Sequence, residues 1–341
     1  MLQETISSIF KKVVERTGML PWWEERLTRW PRVVFYHSVG ATSQPFLRDA
    51  AIEKNVFLDQ ISALRLRYRF LSWQEYKEAV ADPQSHPRTL LLTFDDGFRS
   101  TWETLTELVY ASQVPAVFFV NTRVLDNAYA PWMTQYYFLR AQASLKFLEP
   151  LWNSISRGTA LSPARARERC HECFGLNNVV EPIEEGLARF GMTPAELAQE
   201  YRLYVASSDL SNASELVEIG NHSHSHYILS KLGRAELDAD LRSSHDILTN
   251  ILGEQPECFA YPFGTPSMHF NGMCLESLRR VGSYPYVFSG SNRLPLAAAG
   301  RNEIARTCLD HVLSSGLVGT VAEVAPRILK NRLLASSKKA S

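Results

Sequence analysis

Residues 89–97 read Thr-Leu-Leu-Leu-Thr-Phe-Asp-Asp-Gly. The first six residues form a continuous, mostly apolar run of the kind found in parallel strands that are covered on both faces, and two aspartates and a glycine end it abruptly. Residues 32–36 and 115–120 are similar short runs, and apolar residues at helical spacing follow them. This alternation of strand and helix predicts an α/β fold with a parallel sheet.

The alternating pattern is interrupted between residues 125 and 210. This stretch is rich in Ala, Arg, Glu and Leu at helical spacing and shows no clear strand, so we interpret it as a helical insertion that forms a lid or a wall over a cleft. The strand pattern resumes near residue 216, and Gly253 is a natural cap for a helix predicted over 235–252.

The composition is that of a soluble globular protein, with 45% apolar and 21% charged residues. Lys+Arg and Asp+Glu balance at 36 each, so no net field favours a nucleic acid as partner. The five cysteines are odd in number and scattered, which argues against a disulfide framework and is typical of a reducing compartment.

The N-terminal residues 1–30 predict a helical extension without the continuous apolar core of a signal peptide. Five apolar residues instead share one face of a helix: Ile6, Ile9, Phe10, Val13 and Val14. This helix either packs on the domain or lies on a membrane surface, since lysines flank its apolar face. We therefore expect a cytoplasmic protein, with peripheral membrane contact through this helix as the alternative.

Two adjacent carboxylates, Asp95 and Asp96, follow the strand at 89–94. Active sites of parallel α/β folds form at the carboxyl ends of strands. Two buried carboxylates are costly unless a cation offsets their charge, so one could bind a metal while the other faces the attacking water. The alternative is a solvated turn, since Asp-Gly is a common turn pair.

Three histidines lie within five residues after the strand near 216–219: His222, His224 and His226. His222 and His226 are four residues apart, so one helical turn would place both imidazoles on the same face. Together with one carboxylate they would form a facial triad suited to zinc or a similar ion. His224 should point elsewhere, and a purely structural histidine cluster is the alternative.

Taken in order, three segments resemble the polysaccharide deacetylase family, which is built on the NodB homology domain. Residues 93–97 (Thr-Phe-Asp-Asp-Gly) resemble its first motif, and residues 222–226 (His-Ser-His-Ser-His) resemble its second, His-[Ser/Thr]-x-x-His. Residues 260–264 (Ala-Tyr-Pro-Phe-Gly) are similar to a variant of the third motif, Arg-x-Pro-Tyr.

The resemblance implies a fold, a distorted (β/α)7-type barrel of the NodB kind that carries a helical insertion. Residues 31–124 and 211–312 would form the barrel, and residues 125–210 would form the insertion. Residues 313–341 would add a C-terminal helix and tail.

The resemblance also implies a metal centre in which Asp96, His222 and His226 hold a divalent ion. Zinc is the default ion, with nickel, cobalt, iron and manganese as alternatives. Asp95 would be the general base, and the backbone N–H of Tyr261 would stabilise the developing oxyanion.

The general acid has two candidates. The family usually places it in a Leu-x-His motif near the C-terminal end, and here residues 308–311 (Cys-Leu-Asp-His) offer His311 with a spacing that is off by one. A subset of the family instead carries a Tyr-His pair on the first strand, which Tyr36-His37 resembles. We favour His37, with a structural histidine as the alternative, and suggest Arg306 as the partner of Asp95.

These features predict a metal-dependent hydrolase that removes an N- or O-acetyl group from an acetylated sugar or glycan precursor, as in exopolysaccharide biosynthesis. Two alternatives stay open. The first is hydrolysis of another non-peptide C–N bond, as by a deformylase or amidase. The second is a catalytically inactive glycan-binding homologue.

Overall fold

The structure is a computed structural model, and it describes five stretches of the chain: residues 31–40, 44–142, 145–159, 176–290 and 303–310. The predictions for residues 1–30, His311 and residues 313–341 lie outside the described residues. Within the described residues, no helix combines the length and the apolar character needed to cross a membrane.

Parallel strands form the centre of the fold. The strands of the described residues are β1 Arg32–Tyr36, β2 Ser38–Val39, β3 Ala51–Ile52, β4 Arg69–Phe70, β5 Thr89–Phe94, β6 Ala116–Val120, β7 Val217–Asn221, β8 Cys258–Ala260, β9 Tyr286–Ser289, β10 Glu303–Ala305 and β11 Thr307–Cys308. The main sheet has the order β10-β9-β8-β7-β6-β5-β1-β11, with β4 paired to β5, whereas β2 and β3 pair separately.

The end of this sheet brings its two edges together. Only Arg306 separates β10 from β11, yet β10 pairs with β9 and β11 pairs with β1, both in parallel. The two short strands therefore act as one bent strand that nearly closes the sheet into a barrel. The prediction of a (β/α)7-type barrel is confirmed, with β10 and β11 counted as a single strand of the barrel.

Helices connect the strands on the outside of the barrel. Those of the described residues are α1 Lys54–Arg65, α2 Trp73–Ala81, α3 Arg99–Ser112, α4 Trp132–Ala141, α5 Glu149–Thr159, α6 Leu176–Phe190, α7 Pro194–Tyr201, α8 Ser207–Ser211, α9 Arg234–Leu252 and α10 Gly272–Val281. The predicted helix over 235–252 is confirmed as α9, and Gly253 ends it with a left-handed φ of 77°.

Alternation along the strands decides what enters the barrel. Four residues of β1, β5 and β6 belong to one buried apolar cluster that fills the interior: Val33, Leu91, Val117 and Phe119. Further along the same inward faces the residues become polar near the carboxyl ends: Thr93 and Asp95 follow Leu91, Asn121 follows Phe119, and His37 follows Phe35. The apolar floor therefore lies below a ring of polar side chains at the mouth.

The segment between β6 and β7 contains α4 to α8. Its end is fastened to the mouth of the barrel, because Val205 N–H donates to Gly97 O at 3.1 Å and Arg99 N–H donates to Leu203 O at 2.8 Å. The helical segment therefore stands directly beside the turn that follows β5. The domain boundaries at 125 and 210 stay a prediction.

Candidate active site

The turn after β5 points its two carboxylates in different directions. Asp95 continues the strand, and its N–H donates to Tyr36 O at 2.9 Å. Asp96 and Gly97 then take left-handed φ values of 75° and 78°. A Cβ on Gly97 would lie 2.7 Å from a methyl of Val120, so only glycine fits. The left-handed Asp96 is a strained conformation that this tight turn maintains.

Asp95 is held by a buried arginine. Arg306 Nη1 and Nη2 donate to its two carboxylate oxygens at 2.6 and 2.7 Å, and Nη1 also contacts Thr93 Oγ1 at 3.2 Å. The guanidinium lies 4.4 Å from the centre of the Phe35 ring. Burial by itself would raise the pKa of Asp95, but the charge and hydrogen bonds of Arg306, together with the nearby His222 and His37, outweigh burial and lower that pKa. Asp95 is therefore ionised at neutral pH.

Asp96 faces the two histidines that follow β7. Its Oδ1 lies 3.0 Å from His226 Nε2 and 3.4 Å from His222 Nε2. His222 Nδ1 lies 2.8 Å from the carbonyl of Ala260, to which it donates, and this contact fixes the ring with its Nε2 directed at Asp96. Burial opposes ionisation of Asp96, but His226 and His222 hold its pKa well below the ordinary value.

The histidine segment is not a helical turn, and this part of the prediction is wrong. Residues 222–226 form a bend in which Ser223 and His226 have left-handed φ values of 68° and 55°. Side chains replace the helical hydrogen bonds: Asp240 accepts from the N–H groups of His224 and Ser225, both at 3.0 Å. The bend still brings His222 and His226 together, with ring centres 5.1 Å apart.

His224 points away from Asp96. Its Nδ1 contacts Thr122 Oγ1 at 2.9 Å, and burial lowers its pKa. The described residues place three side chains within ligand distance of one another at this point: Asp96, His222 and His226.

His37 forms a tight pair with Asp310, which follows β11. Its Nδ1 lies 2.5 Å from Asp310 Oδ2, and its backbone N–H donates to Oδ1 at 3.1 Å. Cys308 Sγ also contacts Oδ2, at 3.3 Å. Burial opposes the charged imidazolium, but the Asp310 carboxylate raises the pKa of His37 well above its ordinary value. His37 can therefore hold a proton at neutral pH and release it to a neighbouring atom.

One cavity of about 200 Å³ joins these groups. Its lining includes Asp96 and His226 as well as His37 and Asp310. The α4 helix of the helical segment supplies a further wall, with three lining residues: Met133, Thr134 and Tyr137. A substrate in this cavity would contact the Asp96 cluster and the His37 pair at the same time.

The Asp96 cluster fits a divalent cation. Among the described residues, Oδ1 of Asp96 is a buried oxygen without a standard hydrogen bond, and the Nε2 atoms of His222 and His226 converge on it. One carboxylate oxygen and two imidazole nitrogens are a donor set that zinc and related ions accept, with positions left for water and substrate.

Tyr261 does not fill its predicted role. Its N–H donates to Phe288 O at 2.9 Å, because the ladder between β8 and β9 continues through this residue. The N–H is therefore not available to an oxyanion. Phe263, two residues later, is the residue of this motif that reaches the site, with its ring 5.0 Å from that of His226. The aromatic position after proline in the third motif was the signal for it.

A sequence model described as polysaccharide deacetylase matches residues 82–145 and 208–283. The matched segments include Asp95, Asp96 and both histidines that face Asp96. These two segments carry the sequence pattern of the polysaccharide deacetylase family. This family match supports a hydrolase that removes acetyl groups. The match does not extend to His37 or Arg306. Among curated proteins, no significant sequence match is found.

Solved structures show the same fold at low sequence identity. A Streptococcus pyogenes deacetylase, PplD, in complex with acetate is 15% identical, with a TM-score of 0.55 over 85% of this chain and 97% of that one. IcaB from Ammonifex degensii is 19% identical, with a TM-score of 0.52 over 87% and 97%. BC0361, a polysaccharide deacetylase from Bacillus cereus, is 13% identical, with a TM-score of 0.53 over 85% and 68%.

Proposed function

We propose that this chain is a metal-dependent deacetylase that hydrolyses an acetyl group on a sugar of a glycan or glycan precursor. One observation carries the proposal: a carboxylate and two imidazoles converge beside a second, arginine-held carboxylate, and a histidine paired with its own carboxylate lines the same cavity. The family match supports the acetylated carbohydrate as substrate class. A role in exopolysaccharide biosynthesis is part of this proposal.

Asp96, His222 and His226 would hold the ion. When bound there, a divalent cation supplies Lewis-acid activation of the acyl carbonyl and of the attacking water. Zinc is the default, and the donor set also suits nickel, cobalt, iron or manganese.

Asp95 acts as the general base. Arg306 keeps its carboxylate ionised and fixed in orientation through two hydrogen bonds, so it accepts a proton from the attacking water without having to reorient. Each carboxylate oxygen has a second lone pair that the arginine does not use. Asp95 is therefore held in place by Arg306 and can still accept a proton.

His37 acts as the general acid. Collapse of the tetrahedral intermediate requires a proton on the leaving amine or alkoxide. Asp310 fixes Nδ1 of the His37 imidazole, so Nε2 is the nitrogen that faces away from Asp310 and can donate this proton. His37 and Asp96 line the same cavity, which supports this role for His37.

Acetate release tests the proposal. Purified protein is treated with a chelator, divided, and reloaded separately with Zn²⁺, Co²⁺, Ni²⁺ or Mn²⁺. Acetate is then measured from N-acetylated and O-acetylated oligosaccharides, and formate from small formyl amides. We expect metal-dependent acetate release from a saccharide, and the Asp95→Asn variant serves as the matched inactive control. Release of formate alone, or no release with any ion, would contradict the proposal.

A further inference from the structure

Asn121 is a buried polar residue that the mechanism above does not use. It follows β6 directly, its side chain is only 1% exposed, and it lines the cavity together with Asp96 and His226. Within the described residues, neither its Oδ1 nor its Nδ2 has a hydrogen-bond partner. Such a group costs free energy unless something else satisfies it, so an orphaned carboxamide at a cavity wall points to a ligand.

Asn221 shows what a structural asparagine looks like at a neighbouring position. It ends β7, the strand beside β6, and is fully buried. Its Nδ2 donates to Ser244 Oγ at 3.0 Å and to Tyr284 OH at 2.6 Å, and its Oδ1 accepts from Ser223 N–H at 2.8 Å. The protein thus satisfies every polar atom of Asn221 and neither polar atom of Asn121.

The backbone explains why Asn121 reaches the cavity. Val117 and Phe119 of β6 belong to the interior cluster of the barrel, and alternation places position 121 on the same inward side. The N–H groups of Thr122 and His222 donate to Ser223 O and Val120 O, which ties the chain on either side of Asn121 to the end of β7. The side chain is therefore held at the mouth by a fixed backbone.

We propose that Asn121 is a substrate-positioning residue of the deacetylase site. Its carboxamide offers one acceptor and two donors, which complement the N–H, carbonyl and hydroxyl groups of an acetylated sugar. It would hold the sugar against Asp96 and His226 in the cavity that His37 also lines. This inference rests on the proposed function.

The decisive variant is Asn121→Leu, which keeps the branched shape and the number of heavy atoms and removes both polar functions. We expect the melting temperature and the metal content to stay at wild-type values or above. The kcat/KM for the best acetylated saccharide should fall about 10- to 100-fold, since one or two neutral hydrogen bonds are lost. The loss should lie mainly in KM, and Asn121→Gln should restore part of it.

Two matched variants serve as controls. Asn221→Leu should lower the melting temperature, because it removes three buried hydrogen bonds, those with Ser244 Oγ, Tyr284 OH and the Ser223 N–H. Asn250→Ala, on the exposed face of α9, should change neither stability nor kinetics.

Four outcomes would overturn the inference. Unchanged kcat and KM in Asn121→Leu would remove the positioning role, and loss of metal content would make Asn121 part of the ion site instead. A fall in melting temperature as large as that of Asn221→Leu would show that Asn121 is structural, whatever the activity. If the wild-type protein itself releases no acetate, the proposed function fails first, and the substrate role of Asn121 fails with it.

Discussion

Two clusters at the barrel mouth, one of Asp96, His222 and His226 and the other of His37, Cys308 and Asp310, both combine carboxylate with imidazole and differ in how these groups face each other. In the Asp96 cluster, a carboxylate oxygen faces Nε2 atoms from His222 and His226, so three electron-pair donors converge. In the His37 cluster, Asp310 instead accepts from the imidazole Nδ1 and the backbone N–H of one residue. Three converging electron-pair donors favour binding of a cation. A carboxylate that already contacts an imidazole nitrogen and a backbone N–H instead favours the protonated form of that imidazole. Which atoms face each other, more than composition, separates a metal site from an acid.

The largest expected effect tests the first half of this contrast. His222→Ala removes one of three donors and should abolish stoichiometric metal binding, with a fall in kcat/KM of about 10³-fold or more. His37→Ala should retain the metal. Metal content by elemental analysis and acetate release check both variants. Loss of the metal in both would mean that the two clusters form a single ion site.

Asp95→Asn should keep the metal and lose turnover by about 10²- to 10⁴-fold, since the amide cannot accept the proton of water. It also leaves the buried charge of Arg306 without its counter-charge, at a cost of about 3 kcal/mol in unfolding free energy. Denaturant unfolding and metal analysis, run beside the kinetics, separate these effects. An active Asp95→Asn variant would remove Asp95 from the role of base.

Asp310→Asn sharpens the second half of the contrast. Asp310 raises the pKa of His37, so the variant lowers it, and the protonated acid is lost at a lower pH. We expect the alkaline limb of the kcat/KM profile to shift towards lower pH and the rate at neutral pH to fall about 10- to 100-fold, with the metal retained. An alkaline limb that does not move would assign the proton donor to another group.

His224→Ala is the smallest change and the control for the histidine segment. His224 contacts Thr122 and lies outside the Asp96 cluster, so metal affinity and kcat/KM should stay within about tenfold of wild type. Isothermal titration with Zn²⁺ measures the affinity. A loss as deep as that of His222→Ala would place His224 among the ligands.

Strands covered on both faces were predictable because their apolar runs are long and end sharply. The predicted bounds 32–36 and 89–94 are those of β1 and β5. The pairing of Asp96 with His222 and His226 was also predictable, since the carboxyl ends of parallel strands meet at one mouth.

Other parts depend on which atoms of distant segments meet, and this leaves no local signal. The bend at 222–226 exists because Asp240, on α9, supplies the acceptors that a helix would have supplied. The Tyr261 N–H is used because β9 happens to extend opposite it. Asp310 was missed as the partner of His37, because only the register between β11 and β1 brings them together.

The bent strand formed by β10 and β11 closes the barrel and also contributes the partners of two proposed catalytic residues. Arg306 lies at the bend between β10 and β11 and donates two hydrogen bonds to Asp95, the proposed base. Asp310 follows β11 and contacts Nδ1 of His37, the proposed acid. The pairing of β10 with β9 and of β11 with β1 therefore also positions the two proton-transfer groups, Asp95 and His37. If β10 and β11 detached from their neighbours, the Asp96 cluster would remain and could still bind an ion. The protein would nevertheless lack the partners of its base and its acid, and it would be inactive.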